Sequence, residues 1–181
     1  MQYSQVRVRT FSPGVIALGA DADILTDNAL AQADTTVVLA AALDGQPDVA
    51  RNITVKGNDS NVTGNVVIAG TNIDGHTITE TIALNAANVV AGNLAFASIT
   101  SVTLPAYDTA DTERVRIGLG AKIGLPDYLS RDTVIAAFLD GAREATRPSV
   151  AVSTTALAAN TVTLNSALDG TAVIVDLYET Q

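Results

Sequence analysis

The sequence predicts an all-β protein, an antiparallel β-sandwich or jelly-roll-like barrel of about ten strands with little helix. Short runs in which apolar and polar residues alternate recur along the 181 residues. The dipeptide Asp-Gly also occurs four times between apolar runs, at 44–45, 74–75, 140–141 and 169–170. Because Asp-Gly tolerates the positive φ angles of tight turns, each dipeptide predicts a hairpin, with a longer loop as the alternative.

The clearest strands lie between residues 51 and 104. Ile53 and Val55 alternate with polar neighbours, which predicts a half-buried strand. The run 66–69 is apolar at every position, as expected for a central strand. We expect 64–72 and 76–84 to pair as a hairpin through a type I′ turn at 74–75.

Further strands are predicted at 94–104, 113–119, 133–139 and 149–153, separated by loops at 85–93 and 105–112. The alternation slips near Ser98, which indicates a bulge. The run 133–139 also fits a short helix. Its Thr-Val-Ile start and the Asp-Gly that follows favour a strand.

Two segments resemble each other, TVVLAAALDG at 36–45 and TVTLNSALDG at 161–170. Each precedes another β-like run. They are interpreted either as a duplicated hairpin or as a coincidence of strand chemistry.

The chain is expected to form an N-terminal arm or strand over 1–20 and a single β-rich domain over 21–181, with a possible hinge at 143–148. The one helix prediction falls on 21–33, capped by Asp21 or Asp23. Residues 3–11 alternate as a strand does, and 12–14 (Ser-Pro-Gly) is expected to break it.

Charge and composition exclude several classes of function. The formal net charge is −9, and residues 21–50 hold six Asp and no basic residue. We therefore expect no nucleic-acid binding, because that affinity depends on Lys and Arg. The chain has no cysteine and no apolar run long enough to span a bilayer. Without an apolar segment near Met1 we expect no signal peptide, no membrane association and synthesis in a cytoplasm.

No catalytic, cofactor-binding or metal-binding residues are predicted, and we expect no enzyme activity. His76, the only histidine, directly follows an Asp-Gly turn and is interpreted as a surface residue. The carboxylate pairs 108/111 and 21/23 are interpreted as solvated loop acids, because aromatic sugar platforms are scarce.

Two sets of polar residues leave alternatives open. Calcium is a secondary possibility at 57–61 and 21–23, where turn formation alone explains the residues. Glu80 shares a strand face with Ile78 and Ile82. Either the threonine face of that strand is the core face, or Glu80 pairs with a basic residue.

The stretches ITVKGNDSNVTG, ITETIALN and ERVRIGLGAKIGLP resemble small β-rich virion proteins of tailed bacteriophages. Head decoration (capsid cement) proteins are often of this kind. The resemblance covers roughly residues 50–150 and implies a multicopy structural protein, commonly a homotrimer, on a shell built by the major capsid protein. It carries no catalytic residues. The alternatives are a minor tail or neck protein, or a carbohydrate-binding adhesion module on the virion surface.

The N-terminal segment is the predicted docking site for the virion partner. An isolated strand satisfies its backbone groups by joining another sheet. In this interpretation the valines pack inward and the arginines pair with acids on the shell. The residues are Val6, Arg7, Val8, Arg9 and Phe11. The alternative is that 3–11 is a strand of the domain's own sheet.

Overall fold

The computed structural model describes residues 7–107 and 112–178. Strands account for 54% of these described residues and helix for 4%, which confirms the predicted all-β fold. The strands of the described residues are β1 (Val8–Ile16), β2 (Leu25–Ala29), β3 (Thr36–Leu39), β4 (Arg51–Gly57), β5 (Asn65–Thr71), β6 (Thr77–Ala83), β7 (Val90–Phe96), β8 (Ser98–Leu104), β9 (Arg114–Gly124), β10 (Val134–Leu139), β11 (Ala142–Arg143), β12 (Ser149–Ala151), β13 (Thr161–Thr163) and β14 (Thr171–Tyr178). The helical segments are short 3-10 turns at Ala40–Ala42 and Leu157–Ala159.

The strands form three antiparallel sheets. Sheet I has the order β1-β14-β10-β11, and sheet III has the order β3-β8-β5-β6. Sheet II has the order β12-β13-β9-β4-β7, with β2 also paired to β9. Few of these neighbours are consecutive in sequence, so most of the pairing is long-range.

Two hydrophobic cores lie between the sheets. Sheets II and III enclose the first core, to which β4 contributes Ile53 and Val55 and β5 contributes Val66 and Ile68. The second core lies where sheet I meets the other end of sheet II. Its buried residues include Ile16, Ile123, Leu125, Val173, Val175 and Leu177.

Strand β9 takes part in both cores. Its N-terminal half places Val115 and Ile117 in the first core, and its C-terminal end places Ile123 in the second. The alternation predicted for 113–119 is confirmed, because Val115 and Ile117 are buried whereas Arg114 and Arg116 are half-exposed. The predicted strands at 133–139 and 149–153 are also present, as β10 and β12.

The hairpin predicted around 74–75 is confirmed, but its turn is of another type. Thr71 lies opposite Thr77, so β5 and β6 pair in the expected register. The Gly75 amide donates to the Asn72 carbonyl over 3.0 Å, and only Gly75 of this loop has a positive φ, of 80°. The connection is therefore a three-residue loop with glycine in the left-handed position.

The dipeptide at 140–141 forms the two-residue turn that was predicted. Asp140 and Gly141 have φ angles of 50° and 72°, and Leu139 lies opposite Ala142. Both central residues therefore occupy the left-handed region that a primed turn requires.

The hairpins predicted at 44–45 and 169–170 are wrong. Strand β3 pairs with β8 rather than β4, and β13 pairs with β9 and β12 rather than β14. The two similar segments are therefore not a duplicated hairpin. Asp169 supports a local turn, because it accepts the Thr171 amide over 3.1 Å. Asp44 instead ties its loop to β2, because it accepts the amide of Thr26, 18 positions earlier, over 2.8 Å.

The helix predicted over 21–33 is wrong, since this segment contains β2. Ile24 and Leu25 are buried, and Leu25 pairs with Ile117 of β9. Asp27 has a φ of 40° within a register shift, which no regular helix tolerates. Burial against β9 outweighs the weak helical stripe.

The strand predicted over 94–104 is two strands in different sheets. β7 ends at Phe96 in sheet II, and β8 begins at Ser98 in sheet III. The slip in alternation marks this change of sheet. A bulge also follows at Thr100, the extra residue between the Ser101 and Ile99 pairings with β5. The loop predicted over 85–93 is shorter, because β7 begins at Val90.

We expect Gly141→Val to lower the free energy of unfolding by more than about 1 kcal/mol, because a β-branched residue resists positive φ. Gly75→Val should do the same, and chemical denaturation measures both. Ala142→Val, one residue away in β11, is the control and should have little effect. Unchanged stability in both glycine variants would contradict the turn assignments.

Candidate partner-binding site

The predicted docking residues lie mainly in β1, and Val6 lies outside the described residues. Val8, Arg9 and Phe11 pair with Tyr178, Leu177 and Val175 of β14. The segment is thus a strand of the domain's own sheet, and the detached arm is wrong for residues 8–16. The Ser-Pro-Gly sequence at 12–14 does not end the strand. It shifts the register between Phe11 and Gly14, where Gly14 has a φ of 107°.

The two faces of β1 are the reverse of those predicted. Val8 is 65% exposed, whereas Phe11 packs against the second core. The Arg9 guanidinium donates from Nη1 to both carboxylate oxygens of Asp127, at 2.7 and 3.0 Å. Arg9 is therefore engaged within the protein. Arg7 is exposed and remains the basic residue nearest the start of β1.

β1 is an edge strand with an unpaired side. Within 7–107 and 112–178, its strand partner is β14 alone. Val8 and Val15 are 65% and 64% exposed along it, and Leu18 just beyond is 66% exposed. We call β1 together with its unpaired side the β1 edge. Pro13 and the bulge interrupt it, a common way to limit uncontrolled pairing.

The segment 143–148, the predicted hinge, borders an open groove of about 530 Å³ beside β10. The Glu144 amide donates to the Ala137 carbonyl over 2.9 Å. At the other end, Arg147 donates to the Val134 carbonyl and pairs with Asp132, both at 2.8 Å. These contacts fasten the segment at both ends, and the hinge stays a prediction.

A network of charges fastens β2 and its preceding loop to sheet II. Lys56 Nζ lies 2.7 Å from Asp21 Oδ2, and Arg116 donates to both oxygens of Asp27, at 2.6 and 2.8 Å. The hydrogen bond from Lys56 lowers the pKa of Asp21 below its ordinary 3.8. The hydrogen bond from Arg116 likewise lowers the pKa of Asp27 and raises that of Arg116.

The lowered pKa values predict acid sensitivity with a defined sign. Both carboxyls have folded-state pKa values below the ordinary 3.8. Their stabilisation is therefore present above that pH and is lost as the pH falls through the folded-state values. We expect Asp21→Asn/Asp27→Asn to flatten the pH dependence of the free energy of unfolding in this range. Asp34→Asn, an exposed carboxylate outside the network, is the control. Equal slopes for all three proteins would contradict the assignment.

Arg51 is a buried cation that sequence reasoning missed. Its side chain has 0% exposure, and its Nε donates to the Gly120 carbonyl over 2.7 Å. Nη1 donates to the Ala17 carbonyl at 3.0 Å and to the Asp48 carboxylate at 3.2 and 3.3 Å. The signal was present in the sequence, because Arg51 shares strand parity with Ile53 and Val55 on the core face.

Asn52 fills irregularities on both sides of β4. Its Oδ1 accepts the Lys122 amide of β9 at 2.9 Å, and its Nδ2 donates to the Gly92 carbonyl of β7 at 3.1 Å. The pairing of β4 with each neighbour shifts register beside Asn52. Asn52 and Thr54 are buried, so the prediction of a half-buried β4 is wrong. Nothing in the local alternation indicated this role.

The ion pair of Arg51 gives a second test of stability. We expect Asp48→Ala to lower the free energy of unfolding by about 2 kcal/mol or more, because it leaves a buried cation without its anion. Asp127→Ala removes the partner of the half-exposed Arg9 and should cost less than about 1 kcal/mol. Chemical denaturation compares the two, and equal losses would contradict the special role of Arg51.

Glu80 follows neither predicted alternative. The apolar face of β6 is the core face, since Ile82 and Leu84 are buried. The carboxylate accepts the backbone amides of Asn93 at 2.6 Å and Leu94 at 3.2 Å. Glu80 thereby links β6 of sheet III to β7 of sheet II, and amide donors take the place of a cation.

The other polar candidates form local structure. His76 is exposed, and its backbone amide donates to Asn72 Oδ1 in the hairpin loop. Asn58 accepts the Arg114 amide at 2.8 Å, and Asp59 accepts the Asn61 amide at 2.7 Å. The Asp59 contact is typical of turn formation, whereas the Asn58 contact joins residues 56 positions apart and ties the end of β4 to the start of β9. Asp108 and Asp111 lie outside the described residues. Within the described part of the chain, no group of three or more His, Asp or Glu side chains is arranged to hold a metal ion.

Comparison with known proteins gives no relative, since no family model, curated protein or solved structure matches this chain. Among the described residues, no helix is long and apolar enough to cross a membrane. The strongest candidate for a partner-binding site in the described residues is the β1 edge.

Proposed function

We propose that this protein is a non-enzymatic structural protein of a tailed-bacteriophage particle, a head decoration protein that binds the major capsid protein shell. The resemblance of its strand and turn sequences to such virion proteins supports this function. The β1 edge carries the proposal, because a rigid strand with an unpaired side and exposed valines suits attachment to another protein's sheet.

In the proposed contact, an extended segment of the shell protein pairs with the outer side of β1. Backbone hydrogen bonds supply affinity, and alternate side chains supply specificity. Val8 and Val15, which are exposed, would pack against apolar side chains of the partner. Because Asp127 engages Arg9, Arg7 is the basic residue that would meet a carboxylate on the shell.

A double substitution on the β1 edge tests this function. Val8→Glu/Val15→Glu adds charge at two exposed positions and creates no cavity, so the protein should fold normally. We expect binding to undecorated shells, measured by co-sedimentation, to fall at least about tenfold, because a desolvated carboxylate without a partner is costly. Val89→Glu changes a 53% exposed valine outside sheet I and should bind as the wild type does.

The possible results separate the interpretations. Full binding by the folded double variant would refute docking through the β1 edge. Absence of binding by the wild-type protein to any shell, with binding to tails or necks instead, would favour the minor tail or neck protein. Removal of residues 1–12 is a simpler experiment, but it also removes Phe11 from the second core. A loss of binding could then result from lost stability rather than from lost docking contacts.

A further inference from the structure

Among the described residues, the outward face of sheet III differs from the other two sheets because its strands place no charged side chain on it. Strands β3, β5, β6 and β8 contain one charged residue, Glu80, and its carboxylate is turned to the amides of β7. The whole chain has 29 charged residues, 10 basic and 19 acidic. We call this outward surface the sheet III face.

Strand register defines the sheet III face. Leu39, Ser101, Ala69 and Thr79 form one row across the four strands. The residues next to this row along the strands, such as Val102 and Ile68, are buried in the first core. Because successive side chains of a strand point to opposite faces, the row itself points outward. Leu39 is 63% exposed and Thr79 is also exposed. The surface therefore consists of short aliphatic and hydroxyl side chains.

These side chains suit close packing against another sheet. Short and β-branched residues lose little rotamer freedom on burial, and they interdigitate in face-to-face sheet packing. Thr71 and Ser98 already pair their hydroxyls across strands at 2.7 Å. Such internal pairing lowers the cost of removing the hydroxyls from water.

We infer that the sheet III face packs against the same face of a second copy of this chain. A charged partner surface would lose its water there without finding a counter-charge. A second copy meets the face with an equally uncharged surface. Although each chain has a net charge of −9, their contact would then bring no like charges together.

The size and symmetry of the contact follow from the sheet. Strands β5, β6 and β8 have 7 residues each and are about 23 Å long, whereas β3 has 4 residues and is about 13 Å long. At a spacing of about 4.8 Å they give a footprint of about 390 Å² per copy. Two copies bury about 800 Å² in total, which places the contact among weak, reversible interfaces. A face that packs on itself has two-fold symmetry. The face therefore predicts a dimer, in contrast to the trimer that the resemblance implies.

Sedimentation velocity on the full chain between about 1 µM and about 1 mM tests the inference, since weak association falls in this range. We expect a reversible rise toward the mass of two 18.5 kDa chains. Thr81 is exposed and lies two residues from Thr79 along β6, so it belongs to the same face. Thr79→Lys and, separately, Thr81→Lys should raise the dissociation constant at least about tenfold by placing an unpaired charge in the contact. Both also reduce the net negative charge, so general repulsion cannot explain a loss of association.

Ser149→Lys is the matched control, because it adds the same charge at an exposed strand position in sheet II. It should associate as the wild type does, and melting temperatures check that all variants fold. A wild-type monomer at every concentration would overturn the inference. An oligomer that neither threonine variant weakens would also overturn it. The test is independent of shell docking, since Val8→Glu/Val15→Glu should dimerise normally.

Discussion

The buried guanidinium of Arg51 is the constraint on which the arrangement of the sheets depends. It lies at the start of β4 and binds three parts of the chain: Ala17 after β1, Asp48 before β4, and Gly120 within β9. A buried cation is costly unless acceptors satisfy its N–H groups. Those of Nε and Nη1 have acceptors here, whereas Nη2 has no hydrogen-bond partner among the described residues. The segments that supply these acceptors must therefore adopt one arrangement, and this arrangement joins the first core to the second.

The irregularity of β9 is what allows one strand to serve both cores. A register shift separates its pairing at Leu119 from its pairing at Ile123, and the Asn52 side chain fills the space. Gly120 packs so closely against that amide that a side chain would overlap it. The polar residues Arg51 and Asn52 thus replace ladder hydrogen bonds that a regular sheet would make.

Sequence reasoning succeeded where the determining contacts are local. Alternation located β9 and β10, and turn chemistry located the hairpins at Gly75 and Gly141. It failed where partners are distant in sequence. A helix was predicted at Ile24 and Leu25 because nothing in the neighbouring sequence indicates that these residues are buried against β9. The docking residues were assigned to the wrong faces for the same reason, since Asp127, which holds Arg9, lies 118 positions away.

Charged residues are distributed unevenly over the strands of the three sheets. Ion pairs such as Lys56–Asp21 and Arg116–Asp27 hold the protein's own loops on sheet II, where exposed salt bridges add little to partner affinity. The sheet III face and the β1 edge lie on other sheets, and they are the surfaces for which we propose intermolecular contacts. The proposed contacts of the sheet III face and of the β1 edge are expected to be weak when each acts alone. On the proposed repetitive shell, neighbouring copies would hold each other at high effective concentration, so two weak contacts together would give stable decoration.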